Sequence, residues 1–255
     1  MPATGARPTG TTDEAGAARA VQQMFDSIAP RYDLLNHVLS VNIDRLWWRR
    51  AARRFRPILS RPEAAILDIC CGTGDMTMAL LRHRPEGARP IVAADFARGM
   101  LMRGAEKFSP KASTRQNPHA VPLEADALHL PIRSQSLDLI VTAFGFRNLT
   151  NYAAGLSEFR RVLKPGGQLG ILDFSEPGGI IGKAYALYFR HILPAIGRVL
   201  CGKDGPYNYL PSSVGSFPAP AEMLDLMRQA GYTDCAWQPY TFGIAGLYAA
   251  TRPTL

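Results

Sequence analysis

Asp68-Ile69-Cys70-Cys71-Gly72-Thr73-Gly74-Asp75 is the first stretch whose residue types and spacing point to chemistry. An acid closes a short apolar run, and two glycines then let the backbone turn sharply and approach a ligand closely. The dinucleotide fingerprint G-x-G-x-x-G would need a third glycine at position 77, where Thr77 stands, so that fingerprint fails. Two readings remain, a tight structural turn or a cradle for a small nucleoside cofactor that has no pyrophosphate. Asp95-Phe96 closes the next apolar run, about where a carboxylate would grip ribose hydroxyls, although Asp95 also suits a helix cap. Asp126-Ala127 follows the third run, where a carboxylate could accept an adenine amino group. Leu163-Lys164-Pro165-Gly166-Gly167 stops a helix ahead of the fifth run.

These turns need a frame. Residues 64–69, 91–94, 121–124, 137–142 and 168–174 read as short buried strands. Helices are predicted at about 75–83, 99–108 and 152–163 between them. Strands alternating with helices at this spacing predict βαβ units and a parallel sheet. A helix over 220–230 and a hairpin of 233–240 with 244–251 close it. The whole is a seven-stranded, doubly wound α/β sheet in one domain over 18–255. Residues 1–17, rich in Ala, Gly, Thr and Pro, read as a disordered leader. Residues 18–60 form a helical cover. The stretch 176–215 breaks the alternation and reads as a lid.

The four motifs in this order match class I methyltransferases, which have a Rossmann-like sheet. The chain also carries stretches outside those motifs. These are Met24-Phe25-Asp26-Ser27-Ile28-Ala29-Pro30-Arg31-Tyr32-Asp33, Phe144-Gly145-Phe146-Arg147-Asn148, Asp173-Phe174-Ser175-Glu176-Pro177 and Tyr207-Asn208-Tyr209-Leu210. With them, residues 20–250 resemble the ubiquinone/menaquinone biosynthesis methyltransferases. The resemblance implies methyl transfer from S-adenosylmethionine to a ring carbon of demethylmenaquinol, or of the related benzoquinol, leaving S-adenosylhomocysteine. By that pattern Thr73, Asp95, Asp126 and Ala127 contact the cofactor, with Asp68, Gly72, Gly74, Phe96 and Ala143 completing its site. Ala143 departs from the serine the family often carries, leaving only backbone there. Cys70 and Cys71 replace small residues and are read as packing rather than redox groups.

Arg147 leads the catalytic candidates, at the carboxyl edge where ligands bind in this architecture. A guanidinium stays protonated, so it is not a base but a stabiliser of a developing phenolate. The alternative is a salt bridge to Asp26 or Asp33. Asn148 either holds the same hydroxyl or caps the turn. Tyr32, Phe144, Tyr188, His191 and Tyr207 are the substrate candidates, and His191 is either a base or a rim residue.

Composition narrows the partners. Lys and Arg outnumber Asp and Glu 29 to 21, which fits anionic partners without choosing one. A nucleic-acid substrate is disfavoured: no N-P-P-[YF] motif follows the fourth run, and no Pro-Cys nucleophile is present. A natural-product methyltransferase and a noncatalytic cofactor-binding scaffold remain as rivals. The four cysteines lack C-x-x-C spacing, so no metal site and a reduced cytoplasmic chain are expected. No apolar run reaches ~18 residues. Ile43, Trp47, Ala51, Phe55 and Ile58 form a stripe flanked by arginines, read either as a helix on an anionic membrane surface or as one packed on the sheet. The expected partners are a prenylated quinol, the inner membrane face as a peripheral contact, and a second copy in a homodimer.

Overall fold

Strands β1 (Ile66–Ile69), β2 (Ile91–Asp95) and β4 (Leu137–Ala143) are short apolar runs, buried almost throughout, as parallel strands covered by helices on both faces must be. The computed structural model describes residues 5–8, 10–29, 43–108, 119–177 and 213–254. Strand β3 (Ala120–Glu124) is the half-exposed edge, where Pro122 can be tolerated. With β5 (Leu163–Phe174), β6 (Thr233–Tyr240) and β7 (Ala245–Thr251) the sheet runs β3-β2-β1-β4-β5-β7-β6. Strands β1 to β5 are parallel, and β7 is antiparallel to both of its neighbours. The predicted seven-stranded sheet and closing hairpin are both present. Strand order reverses between β1 and β4, the switch point at which such sheets bind ligands.

Helices cover both faces. Trp47, Phe55 and Leu80 belong to one apolar core, and Phe146, Tyr152, Phe159, Met223 and Met227 to the other. The first core holds α2 (Asp44–Arg54), α3 (Arg56–Leu59), α4 (Asp75–Leu81) and α5 (Arg98–Phe108) against the sheet; the second holds α6 (Tyr152–Val162) and α7 (Pro220–Gln229). Phe55 lies so close under β5 that a Cβ on Gly170 would come within 2.5 Å of its ring.

Three boundaries differ from the sequence reading. Helix α1 spans Glu14–Ile28, because Asp13 Oδ1 accepts the Gly16 N–H at 2.6 Å and caps it. Within the expected leader, the Ala6 N–H also donates to Leu149 O at 2.8 Å, and Arg7 donates to Thr150 O. A disordered leader reaching residue 17 therefore does not describe residues 5–8 or the start of α1. The helix expected over 43–58 is broken at Phe55, ahead of Pro57. Strand β5 begins at Leu163 rather than 168, since Leu163 pairs with Leu137 before a register shift. Gly166, at φ 76°, donates to Arg252 O, and the Arg252 N–H returns to Gly167 O. The Arg252 guanidinium then gathers the carbonyls of Arg160, Arg161 and Leu163 at 2.6–3.3 Å. Of the proposed lid, residues 178–212 lie outside the described residues.

Candidate active site

The β1–α4 turn is built from left-handed residues: Cys70 at φ 56°, Gly72 at 54° and Gly74 at 84°. Gly74 is required on two counts, because a Cβ there would also stand 2.6 Å from the Phe108 ring. At Gly72 the same atom would meet nothing nearer than Met100 Cε at 3.8 Å, so this glycine leaves its backbone open to a ligand. Cys70 presses against the β4 turn; a Cβ on Gly145 would come within 2.3 Å of its own Cβ. Burial pushes both the Cys70 and Cys71 thiols well up, so they stand as neutral packing groups.

Asp95 ties this turn to the next strand. The Gly72 N–H donates to its Oδ2 at 2.8 Å, and the Ala97 N–H to its Oδ1 at 2.9 Å. Burial nevertheless raises the carboxyl to about 6, against the pull of those donors. Asp68 sits beneath the turn with no exposed surface, its Oδ2 accepting the Thr77 hydroxyl at 2.5 Å. Its Oδ1 has no partner among the described residues. Burial, opposed by Thr77 and reinforced by the Asp95 charge, raises Asp68 to about 7.

Between α1 and the carboxyl edge of the sheet lies a cavity of about 380 Å³, within the range of small-molecule sites. Gly72, Asp95, Phe96, Asp126, Ala127, Ala143, Phe144 and Asn148, all named in the sequence reading, line it. Asp126 is exposed, its Oδ1 accepting the Leu128 N–H at 2.9 Å and its Oδ2 lying 3.2 Å from His129 Nδ1. Asp68, Thr73, Gly74 and Arg147 are not among the lining residues. The first three shape the turn from behind. Tyr32, Tyr188, His191 and Tyr207 lie outside the described residues. Sequence reasoning missed Gln22 and Phe25 of α1 as wall residues. The Gln22 amide donates to Phe96 O at 2.7 Å, which fastens α1 over the site.

Arg147 is buried behind the wall. Its Nη1 donates to Asp173 Oδ1 at 2.8 Å and to Phe144 O, and its backbone N–H to Asp173 Oδ2 at 3.1 Å. Arg147 thus pairs with Asp173, which the sequence reading did not name; Asp26 accepts the Gly99 N–H, and Asp33 lies outside the described residues. Phe144 is held at φ 58°, a conformation that strains a bulky residue by ~1–3 kcal/mol. The next polar group along the wall is Asn148. Its Nδ2 lies 3.5 Å from Phe144 O, while its buried Oδ1 has no partner among the described residues. Such an atom is costly to bury unless something supplies a hydrogen bond. Together the wall offers the Asp95 carboxylate, the aromatic rings of Phe25 and Phe144, and an acceptor at Asn148.

Comparison with known proteins adds to this geometry. The model of the ubiE/COQ5 methyltransferase family matches residues 12–252. A demethylmenaquinone methyltransferase of Deinococcus radiodurans is 42% identical over 246 residues, covering 96% of this chain and 97% of that one. The ubiquinone/menaquinone biosynthesis C-methyltransferase UbiE of Geobacter sulfurreducens is 40% identical, covering 91% and 88%. Among solved structures, an S-adenosylmethionine-dependent methyltransferase of Thermotoga maritima superposes with TM-score 0.60 at 15% identity, covering 91% and 99%. At that identity the likeness is one of fold.

Proposed function

The chain belongs to the ubiE/COQ5 methyltransferase family, and from that premise we propose that it methylates a ring carbon of demethylmenaquinol to give menaquinol, the last step of menaquinone biosynthesis. It is an S-adenosylmethionine-dependent methyltransferase. The observation that carries the substrate reading is the mixed wall of one cavity: the carboxylates of Asp95 and Asp126, the rings of Phe25 and Phe144, and Asn148 Oδ1, which has no partner among the described residues.

These residues fit the cofactor. Gly72 leaves its backbone open, and Asp95 keeps carboxylate lone pairs beyond the two backbone N–H bonds that aim it. Asp95 would accept the ribose hydroxyls, Asp126 the adenine amino group, and Phe96 and Ala127 would flank the base. When bound, the sulfonium supplies an already activated methyl group. The protein's share is then to hold the acceptor carbon in line and to exclude water. Phe144 gives the quinol ring an apolar face, and Asn148 Oδ1 accepts one of its hydroxyls. A ring hydroxyl that gives up its proton makes the adjacent carbon nucleophilic, and that carbon's own proton leaves after the methyl arrives. His191 is the proposed acceptor of the first proton, and Tyr32, Tyr188 and Tyr207 are proposed substrate residues; all four lie outside the described residues. Arg147 positions the wall rather than touching the ring: its Nη1 holds the Phe144 carbonyl and the Asp173 carboxylate, which fixes where Phe144 stands. The prenyl tail places the working enzyme at the inner membrane face. Among the described residues no helix is long and apolar enough to cross a membrane.

The test is methyl transfer from labelled S-adenosylmethionine to a short-chain demethylmenaquinone, with and without prior reduction. Labelled product from the reduced ring alone is expected. Product from the oxidised ring would overturn the phenolate route. Turnover restricted to the benzoquinol would move the chain to the ubiquinone pathway that the Geobacter relative's name also prints.

A further inference from the structure

Leu46 and Phe242 are the most exposed large apolar side chains at the carboxyl edge of the sheet, 59% and 79% accessible, with Ile43 at 38%. They lie far apart in sequence but share one surface. Trp47 Nε1 donates to Thr241 Oγ1 at 2.7 Å, which fixes the start of α2 to the Thr241–Gly243 turn between β6 and β7. Ile43, Leu46 and Arg50 follow one another at helical spacing, and the Arg50 guanidinium stands 4.8 Å from the Tyr240 ring. Phe242 is held outward on a strained backbone, φ 57°, next to Thr241 at φ 45°. A bulky side chain kept exposed in that conformation has no stabilising role in its own core.

Among the described residues the charge around this patch is mainly positive. Arg45, Arg49 and Arg50 are exposed on α2, whose sole acid, Asp44, is buried. Glu176 is the exposed carboxylate on this side, beside Ser175, which donates to Gly243 O. Behind the patch, Trp47 packs on Phe144 with ring centroids 5.8 Å apart, and Phe144 forms part of the cavity wall. Apolar side chains projecting through a basic rim fit an anionic bilayer, with the aromatics entering the acyl boundary and the arginines on the headgroups.

We propose that the surface of Ile43, Leu46 and Phe242, ringed by Arg45, Arg49 and Arg50, docks on an anionic lipid bilayer and turns the Trp47–Phe144 side of the cavity toward it. The proposal rests on the lipid-borne substrate reading and names the surface that would meet the lipid. Co-sedimentation without substrate tests it, using vesicles of phosphatidylglycerol with phosphatidylcholine and of phosphatidylcholine alone. The wild-type chain should sediment with the anionic vesicles only. Phe242→Ser with Leu46→Ser should weaken binding on the order of tenfold, and Arg45→Gln with Arg49→Gln by a similar factor. Both variants should keep turnover on a short-chain quinol in solution, which separates this test from that of the substrate. Equal sedimentation of wild type and variants, or no binding to anionic vesicles, would overturn the proposal. So would light scattering that shows a dimer lost in the Phe242 variant, since the patch would then face a second copy.

Discussion

At the amino edge of the parallel strands, Arg84 donates to the carbonyls of Leu59, Arg61, Pro62, Ala64 and Arg89. Beside it Asp138 accepts from Lys164, Arg61 and the Ala65 N–H. At the carboxyl edge, Asp68 and Asn148 each keep a buried oxygen without a partner among the described residues, and Cys70 and Phe144 hold left-handed backbones. The titrations separate in the same way. Burial raises Asp68 to about 7 and Asp95 to about 6. Burial also works against Asp138, but Lys164, the Ala65 N–H and Arg61 bring it below the usual range, and Arg161 does the same for Glu158. Among the described residues one edge satisfies its charges, Arg84 Nε excepted, and fastens the sheet. The other keeps its polar groups short of partners, at a cost to stability that a ligand can relieve.

The contrast can be broken most forcefully at Arg84. Arg84→Met keeps much of the apolar stem and removes the donors, so unfolding by urea should come about 3–5 kcal/mol easier. Cofactor affinity of the folded fraction should not change; a loss there would mean the two edges are coupled. Asp95→Asn probes the other edge. It should weaken S-adenosylmethionine binding by ~1.5–3 kcal/mol in calorimetry. Wild-type affinity should decline as pH falls through about 6, and the variant should lose that dependence.

The pH dependence of stability sharpens the same contrast. A carboxyl raised in the folded state contributes stability that is full below its unfolded value, about 4, and is lost as pH rises. For Asp95 and Asp68 the loss runs up to about 6 and about 7, so the ligand-free chain should resist urea better at pH 5 than at neutrality. Asp138 has the opposite sign: its contribution stands above about 4 and fades as pH falls through its lowered folded value. Lys164→Met should therefore cost under about 1 kcal/mol, because that pair is partly exposed, and only above the acid range.

How far the sequence reaches follows the same division. The runs at 66–69, 91–95 and 137–143 are legible because buried parallel strands need unbroken apolar sequence. Asp95 and Asp126 are legible because the turns after such strands face the ligand edge. The start of α1 is hidden, since the Ala- and Gly-rich residues there mimic a leader; Asp13 three residues before Gly16 is the signal that reveals it. The start of β5 is hidden as well, because Pro165-Gly166-Gly167 reads as a stop and its partners, Leu137 and Arg252, are distant in sequence. Phe25 and Gln22 sit on a helical stripe, and spacing alone does not tell a cavity wall from a core. Asp173 needed the fold, since nothing local links it to Arg147.

That dependence of β5 on Arg252 bears on the order in which the molecule can be made. Strand β5 is flanked by β4, which leaves the ribosome before it, and by β7, which leaves near the end. Until Arg252 emerges, the carbonyls of Arg160, Arg161 and Leu163 lack their guanidinium and one side of β5 is an open edge. The growing chain can thus assemble its cofactor turn early, yet must carry an unpaired apolar strand through most of the remaining synthesis.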